Sequence, residues 1–91
     1  DMNICVVSSF EGDLEEFMSL VSELDEEIKS YTSDFEIGVV NSNKAGTSKV
    51  ITMVNVTDME GFERIMSSPK MLEWDKAHNN TDIIYSIEKI N

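Results

Sequence analysis

The strand-like stretches of this chain are apolar on both faces, and that pattern constrains its fold more than any other feature. Side chains alternate across a strand, so a strand with one solvated face reads apolar only at every second position. Here Ile4 and Val6 point one way and Cys5 and Val7 the other, while Val50, Val54 and Val56 oppose Ile51 and Met53. Toward the end of the chain, Ile83, Tyr85 and Ile87 oppose Ile84 and Ile90. A sheet built from such strands needs cover on both sides. Only two amphipathic helical regions are available to supply it, so their place in the element order decides which side stays bare.

That order can be read along the chain. Ile4-Cys5-Val6-Val7 is a β-branched apolar run ending in Ser8-Ser9, the signature of a central strand. Gly12-Asp13 then introduces Leu14, Phe17, Met18, Val21, Leu24 and Ile28, one stripe of a single helix that fades near Tyr31-Thr32-Ser33. Asp13 with Glu16 forms an N-cap pair, and the acidic first turn suits the helix dipole. Phe35, Ile37 and Val39 alternate with Glu36, Gly38 and Val40 as a second strand. Asn41 to Gly46 is a polar hairpin connection leading into a third strand over Lys49 to Val56. Thr57 and Glu60 have the spacing of a capping box for a helix carrying Met59, Phe62, Ile65 and Met66. Ser67-Ser68-Pro69 interrupts that helix; Ser68 as cap and Pro69 as first residue start a second piece with Met71, Leu72, Trp74, Ala77 and His78. Ile83 to Ile90 closes the chain as a final strand.

Strand, helix, strand, strand, helix, strand predicts a ferredoxin-like βαββαβ sandwich in residues 1–91, one α+β domain of four antiparallel strands. Both helices fall on one face of that sheet, which leaves the other bare. A second copy of the sheet is the available cover, and two-fold pairing is the commonest form of self-association. Size argues the same way. A chain of 91 residues with one cysteine has no disulfide staple and buries roughly 60–65% of its unfolded surface, so a partner chain makes up missing burial. A homodimer through the open sheet face is therefore expected.

The pattern resembles the dimeric α+β barrel superfamily over essentially the whole chain. The resemblance is carried locally by Val56-Thr57-Asp58-Met59-Glu60-Gly61-Phe62, then Ser67-Ser68-Pro69, then Trp74-Asp75-Lys76-Ala77-His78. It implies a pairing of sheets into a barrel and a pocket between sheet and helices in each subunit. The superfamily includes cofactor-free monooxygenases, haem-degrading enzymes and small cyclases or isomerases, so the resemblance assigns no reaction.

Charge narrows the partners. Eighteen acidic residues against seven basic ones give a net charge of -11 with no basic cluster, which disfavours nucleic acid and anionic membrane surfaces. No apolar run approaches the ~20 residues that span a bilayer. Strand-like sequence beginning by Asn3 leaves no room for a signal peptide, and a lone cysteine fits a reducing, cytoplasmic setting. The acidic run from Glu11 to Glu27 reads as a solvated helix face. Its adjacent pairs, Glu15-Glu16 and Glu26-Glu27, lack the burial that paired catalytic carboxylates need.

Candidate site residues cluster on the second helical region. Met71, Trp74 and His78 share a helix face by their spacing. If that face looks inward, Met71 and Trp74 offer apolar contact, with His78 and Tyr85 as polar handles. His78 is the best catalytic candidate, as acid or base. The competing reading is ordinary packing, with His78 satisfying a helix C-terminus. Ala77-His78 is similar to the haem-degrading branch, but Ser68 stands where that resemblance implies a tryptophan, and Asn3 lies at the start of the first strand rather than inside it. No cofactor and no metal are expected, and Cys5 reads as a small buried hydrophobe. Three functions remain open: a binder of a small hydrophobic or aromatic molecule, a cofactor-free oxygenase, isomerase or cyclase on the same pocket, and a structural or regulatory dimer without a ligand.

Overall fold

The first strand is paired along both of its edges. In the computed structural model, which describes residues 1–42 and 44–91, β1 (Ile4–Glu11) runs antiparallel to both β3 (Thr47–Val56) and β4 (Thr81–Ser86). β2 (Thr32–Val40) adds to the far side of β3, giving the order β2-β3-β1-β4. The helices are α1 (Leu14–Glu23), α2 (Asp25–Tyr31), α3 (Met59–Met66) and α4 (Pro69–Ala77). The fold is the expected ferredoxin-like α+β sandwich. The hairpin connection expected over Asn41 to Gly46 includes Asn43, which lies outside the described residues.

Alternation sorts the sheet into two faces. Ile4, Val6, Ser8 and Phe10 of β1 and Val50, Thr52, Val54 and Val56 of β3 are buried beneath the helices. The helix layer packs on them in patches: Phe62 and Met66 on Ile4 and Val54, and Phe17 and Trp74 around Phe10 and Val50. On the opposite face, register lines up Ile51, Val7 and Ile83 in one row and Met53, Cys5 and Tyr85 in the next. Ile83 and Tyr85 are half exposed there, at 49% and 51%.

Besides an earlier start of β2 at Thr32 and a longer β1 reaching Glu11, local structure departs from expectation in three places. The first helix is two helices, because the chain bends at Leu24, whose N–H donates to Leu20 and Val21. The bend is invisible to periodicity: Leu24 is buried with Leu20 and Ile65, and Ile28 packs beside them, so the apolar stripe runs straight through it. The cap of α3 is Asp58, not Thr57; Asp58 Oδ1 accepts from the Gly61 N–H at 3.1 Å. The N–H groups of Thr57 and Asp58 both donate to the Tyr31 carbonyl, which holds the chain extended one residue further than the sequence suggests. Finally, β4 stops at Ser86 instead of Ile90. Ser86 pairs with Ile4, the first residue of β1, so beyond the Ile87 N–H bond to Asn3 the strand runs out of partner.

The start of β1 is fixed by Asn3, whose side chain accepts from the Val56 N–H at 2.8 Å and donates to the Val56 carbonyl at 3.0 Å. The Asp13–Glu16 capping box is present as expected, with both reciprocal bonds made.

Two substitutions test this account. Asp58→Ala should cost about 1 kcal/mol, the usual worth of an N-cap, while Thr57→Ala should shift the urea midpoint far less. Gly61 lies against the Tyr31 ring, so an added Cβ would drive into it. Gly61→Ala should therefore lower the midpoint, since overpacking costs about 1–3 kcal/mol against a helix-propensity gain of about 1.

Candidate functional site

Between sheet and helices lies a cavity of about 80 Å³. Its floor comes from all four strands, with Val6 and Ser8, Thr52 and Val54, Phe35, and Asp82. Its roof is Phe17, Leu20 and Leu24 of the first helical region and Phe62, Met71 and Trp74 of the second. The lining is almost wholly apolar. Val21, Ile28, Thr32 and Phe35 also line a surface depression between α1, α2 and β2. The cavity therefore approaches the surface at the β2 edge of the sheet, where Phe35 is 37% exposed.

The opposite end, at the β4 edge, is polar. α4 finishes at His78, and Asn79 turns back in the left-handed region at φ 51°, a common device at helix ends. That reversal delivers Asn80 and Asp82 to the cavity. Asn80 Nδ2 donates to Asp75 Oδ1 at 2.8 Å and to Asp82 Oδ1 at 3.0 Å. Ser8, buried on β1, donates its hydroxyl to the same Asp82 oxygen at 2.7 Å. Asn80 Oδ1 is buried without a partner. Burial chiefly pushes the Asp75 carboxyl above its ordinary range; the negative charge of Asp82 adds to this, and the Asn80 hydrogen bond opposes it.

Trp74 forms the wall on the α4 side. Its ring meets Phe10 edge-on at 5.1 Å and Phe17 at 6.0 Å, arrangements aromatic quadrupoles favour. The other side of the indole stacks on His78, with centroids 4.0 Å apart. His78 Nδ1 lies 3.0 Å from the Trp74 carbonyl, and Nε2 lies 3.4 Å from Glu16 Oε2. The histidine thus ties the end of α4 to the start of α1.

Of the four residues named from sequence, Met71 and Trp74 line the cavity. His78 shares their helix but sits behind the indole, in a surface groove with Lys70 and Glu73. Tyr85 departs from expectation: it pairs with Cys5 on the sheet face away from the helices, so it cannot supply the polar handle. That role passes to Ser8, Asn80 and Asp82, which sequence reading missed. Their signal was weak, because Asn79-Asn80-Thr81 reads as an ordinary turn. Ser8 shows as inward-facing only once β1 is known to reach Glu11. Among the described residues, no three His, Cys, Asp or Glu side chains are grouped to hold a metal ion, and no histidine lies between Ser8 and Asp82 to activate the hydroxyl.

No protein-family model matches the chain, and no curated protein matches it by sequence. Solved structures do match. SnoaB, a cofactor-independent oxygenase from Streptomyces nogalater, is 18% identical with a TM-score of 0.55, covering 98% of this chain and 96% of its own. A dimeric ferredoxin-like protein from an uncultured marine organism is 16% identical with a TM-score of 0.55, covering 98% of each chain. An antibiotic biosynthesis monooxygenase is 8% identical with a TM-score of 0.61, covering 97% of this chain and 99% of its own. At these identities the likeness is one of fold, the ferredoxin-like arrangement of strands and helices described above. No helix of the described residues is long and apolar enough to cross a membrane.

The raised Asp75 carboxyl has a sign that calorimetry can read. The folded state holds this proton more tightly than the unfolded chain, so stability falls as pH rises through the folded value. Asp75→Asn keeps an acceptor for Asn80 and removes the charge. Its melting temperature should gain more over the parent near pH 7 than near pH 3, and an equal gain at both would mean that the charge is not strained.

Proposed function

We propose that this protein is a homodimer that binds a small apolar molecule in the cavity between its sheet and helices. The observation that carries the reading is the cavity itself: apolar side chains from both layers line most of it, and its amide and carboxylate groups lie at the β4 end. Spaces lined mainly by apolar side chains take up apolar guests. At about 80 Å³ it is roughly half the ~150 Å³ cavity that accepts benzene. An aliphatic guest fits it as it stands, and an aromatic one requires Met66 and Met71 to move aside. Methionine side chains do so readily.

The dimer rests on the open sheet face, where the rows Ile51–Val7–Ile83 and Met53–Cys5–Tyr85 form an apolar surface without cover. The dimeric ferredoxin-like protein of the same fold supports this reading. Pairing two such faces would bury about 1,000 Å² or more, enough for a stable interface.

The two neighbours named for oxygenase activity favour a second reading, cofactor-free oxygenase, isomerase or cyclase chemistry in the same cavity. In that case the groups within reach are Asp82 and Ser8; His78 would have to act through the indole of Trp74.

Native mass spectrometry tests the primary reading. A dimer that retains added mass, or takes up xenon on titration, is expected. Ile51→Lys should give a folded monomer, because it places a charge in the middle of the proposed interface. A monomeric parent would remove the dimer, and a dimer that takes up nothing would leave the structural or regulatory role.

A further inference from the structure

Asn80 and Asp82 lie at one end of the cavity, with Asp75 behind Asn80 and outside the lining, and the hydrogen-bond donors of this cluster are spent. Both Asn80 Nδ2 hydrogens are spent on Asp75 and Asp82, and the Ser8 hydroxyl hydrogen is spent on Asp82. The amide cannot turn over, since its oxygen would then face two carboxylates. What is left is the buried Asn80 Oδ1 with no partner, together with the second oxygens of two carboxylates. Among the described residues, the ion pairs lie elsewhere, at Asp25, Glu23, Glu16 and Asp34, and neither Asp75 nor Asp82 takes part in one. One end of an apolar slot thus abuts acceptors and negative charge that no ion pair neutralises.

We infer that Asp82 and Asn80, with the charge of Asp75 behind them, receive the ammonium group of a short aliphatic amine whose hydrocarbon chain lies in the apolar cavity, an inference that rests on the ligand-binding reading above. A primary ammonium brings several N–H donors and one positive charge to a place that lacks both. An alcohol brings one donor and no charge, and a carboxylate is repelled. Desolvation decides whether a cation can sit here, because a fully buried ion pair often fails to recover its hydration. Asp75, Asn80 and Asp82 are only partly buried. The head group can therefore stay in contact with water while the chain enters the cavity. The volume of about 80 Å³ sets the length, a short alkyl chain rather than an arylalkyl one.

Amide NMR titration of the whole chain with n-butylamine, n-butanol and butyrate, near neutral pH, tests this. Salt at about 0.15 M screens loose attraction to the acidic helix surface. The amine should shift the amides of Ser8, Thr52, Asn80 and Asp82 and bind about tenfold more tightly than the alcohol, as charge-assisted hydrogen bonds warrant. Butyrate should leave these amides unmoved. In Asp82→Asn the preference for the amine should fall severalfold while the alcohol keeps its affinity. If that variant does not fold, Asp75→Asn should show a smaller drop by the same readout. Alcohol and amine binding equally to the parent would overturn the amine assignment and leave the cavity reading standing. Shifts confined to α1 and α2 would overturn it too. Neither compound reaching the cavity would overturn both readings.

Discussion

β1 is hydrogen-bonded to β3 along Ile4 to Glu11 and to β4 along Ile4 to Ser9, and that double pairing places everything else. It sets which residues of three strands share a row, and so which lie under the helices and which on the bare face. Its inward row, Ile4, Val6, Ser8 and Phe10, is buried throughout, yet it contains one hydroxyl among apolar groups. A buried hydroxyl needs a partner, and register brings Asp82 opposite Ser8 to supply it. The polar end of the cavity thus follows from one serine in an otherwise apolar row.

Phe10 then anchors the helix layer. It stacks with Phe17 of α1 at 5.5 Å and meets Trp74 of α4 edge-on, so one strand residue locates both helical regions. Trp74 divides the space that results. Phe10 and Phe17 pack against the indole on one side, and His78 covers it on the other. A histidine that would look well placed for pocket chemistry from its helical spacing serves here to join α4 to α1 through Glu16. Trp74 and His78 share a helix face as their spacing predicts, but a shared face does not reveal which residue stands in front.

The same distinction separates what was legible in the sequence from what was not. Element order, strand alternation, the Asp13 cap and the Ser68-Pro69 restart are local patterns, and each could be read from neighbouring residues. The bend at Leu24 could not, because the chain bends without breaking its apolar stripe. Nor could the end of β4, which is set by where β1 begins. Within the site, Met71 and Trp74 were accessible through helical periodicity. Ser8 and Asp82 are 74 positions apart and meet only through register. Tyr85 shows the same gap from the other side. Its alternation with Ile84 was evident, but only pairing with Cys5 tells which of the two faces the helices.

Charge distribution bears on how a protein this acidic can pair with itself. Like charges oppose association in proportion to how many of them the contact brings together. The concentrated acidity, Glu15, Glu16 and Glu23 on α1 and Asp25, Glu26 and Glu27 on α2, is exposed on the helix layer. That layer lies across the sheet from the rows centred on Val7 and Cys5. On β3, β1 and β4 those two rows, Ile51–Val7–Ile83 and Met53–Cys5–Tyr85, contain no carboxylate, and Glu36 of β2 continues the second row at the edge of the sheet. In the proposed dimer the helix layers therefore end up on the outside, separated by two sheets. Apolar contact then acts at close range while repulsion is weakened by distance and salt. The same outward charge opposes the helix surfaces of separate dimers. In the proposed dimer the acidity of the helix layers would thus oppose further contacts more strongly than this one.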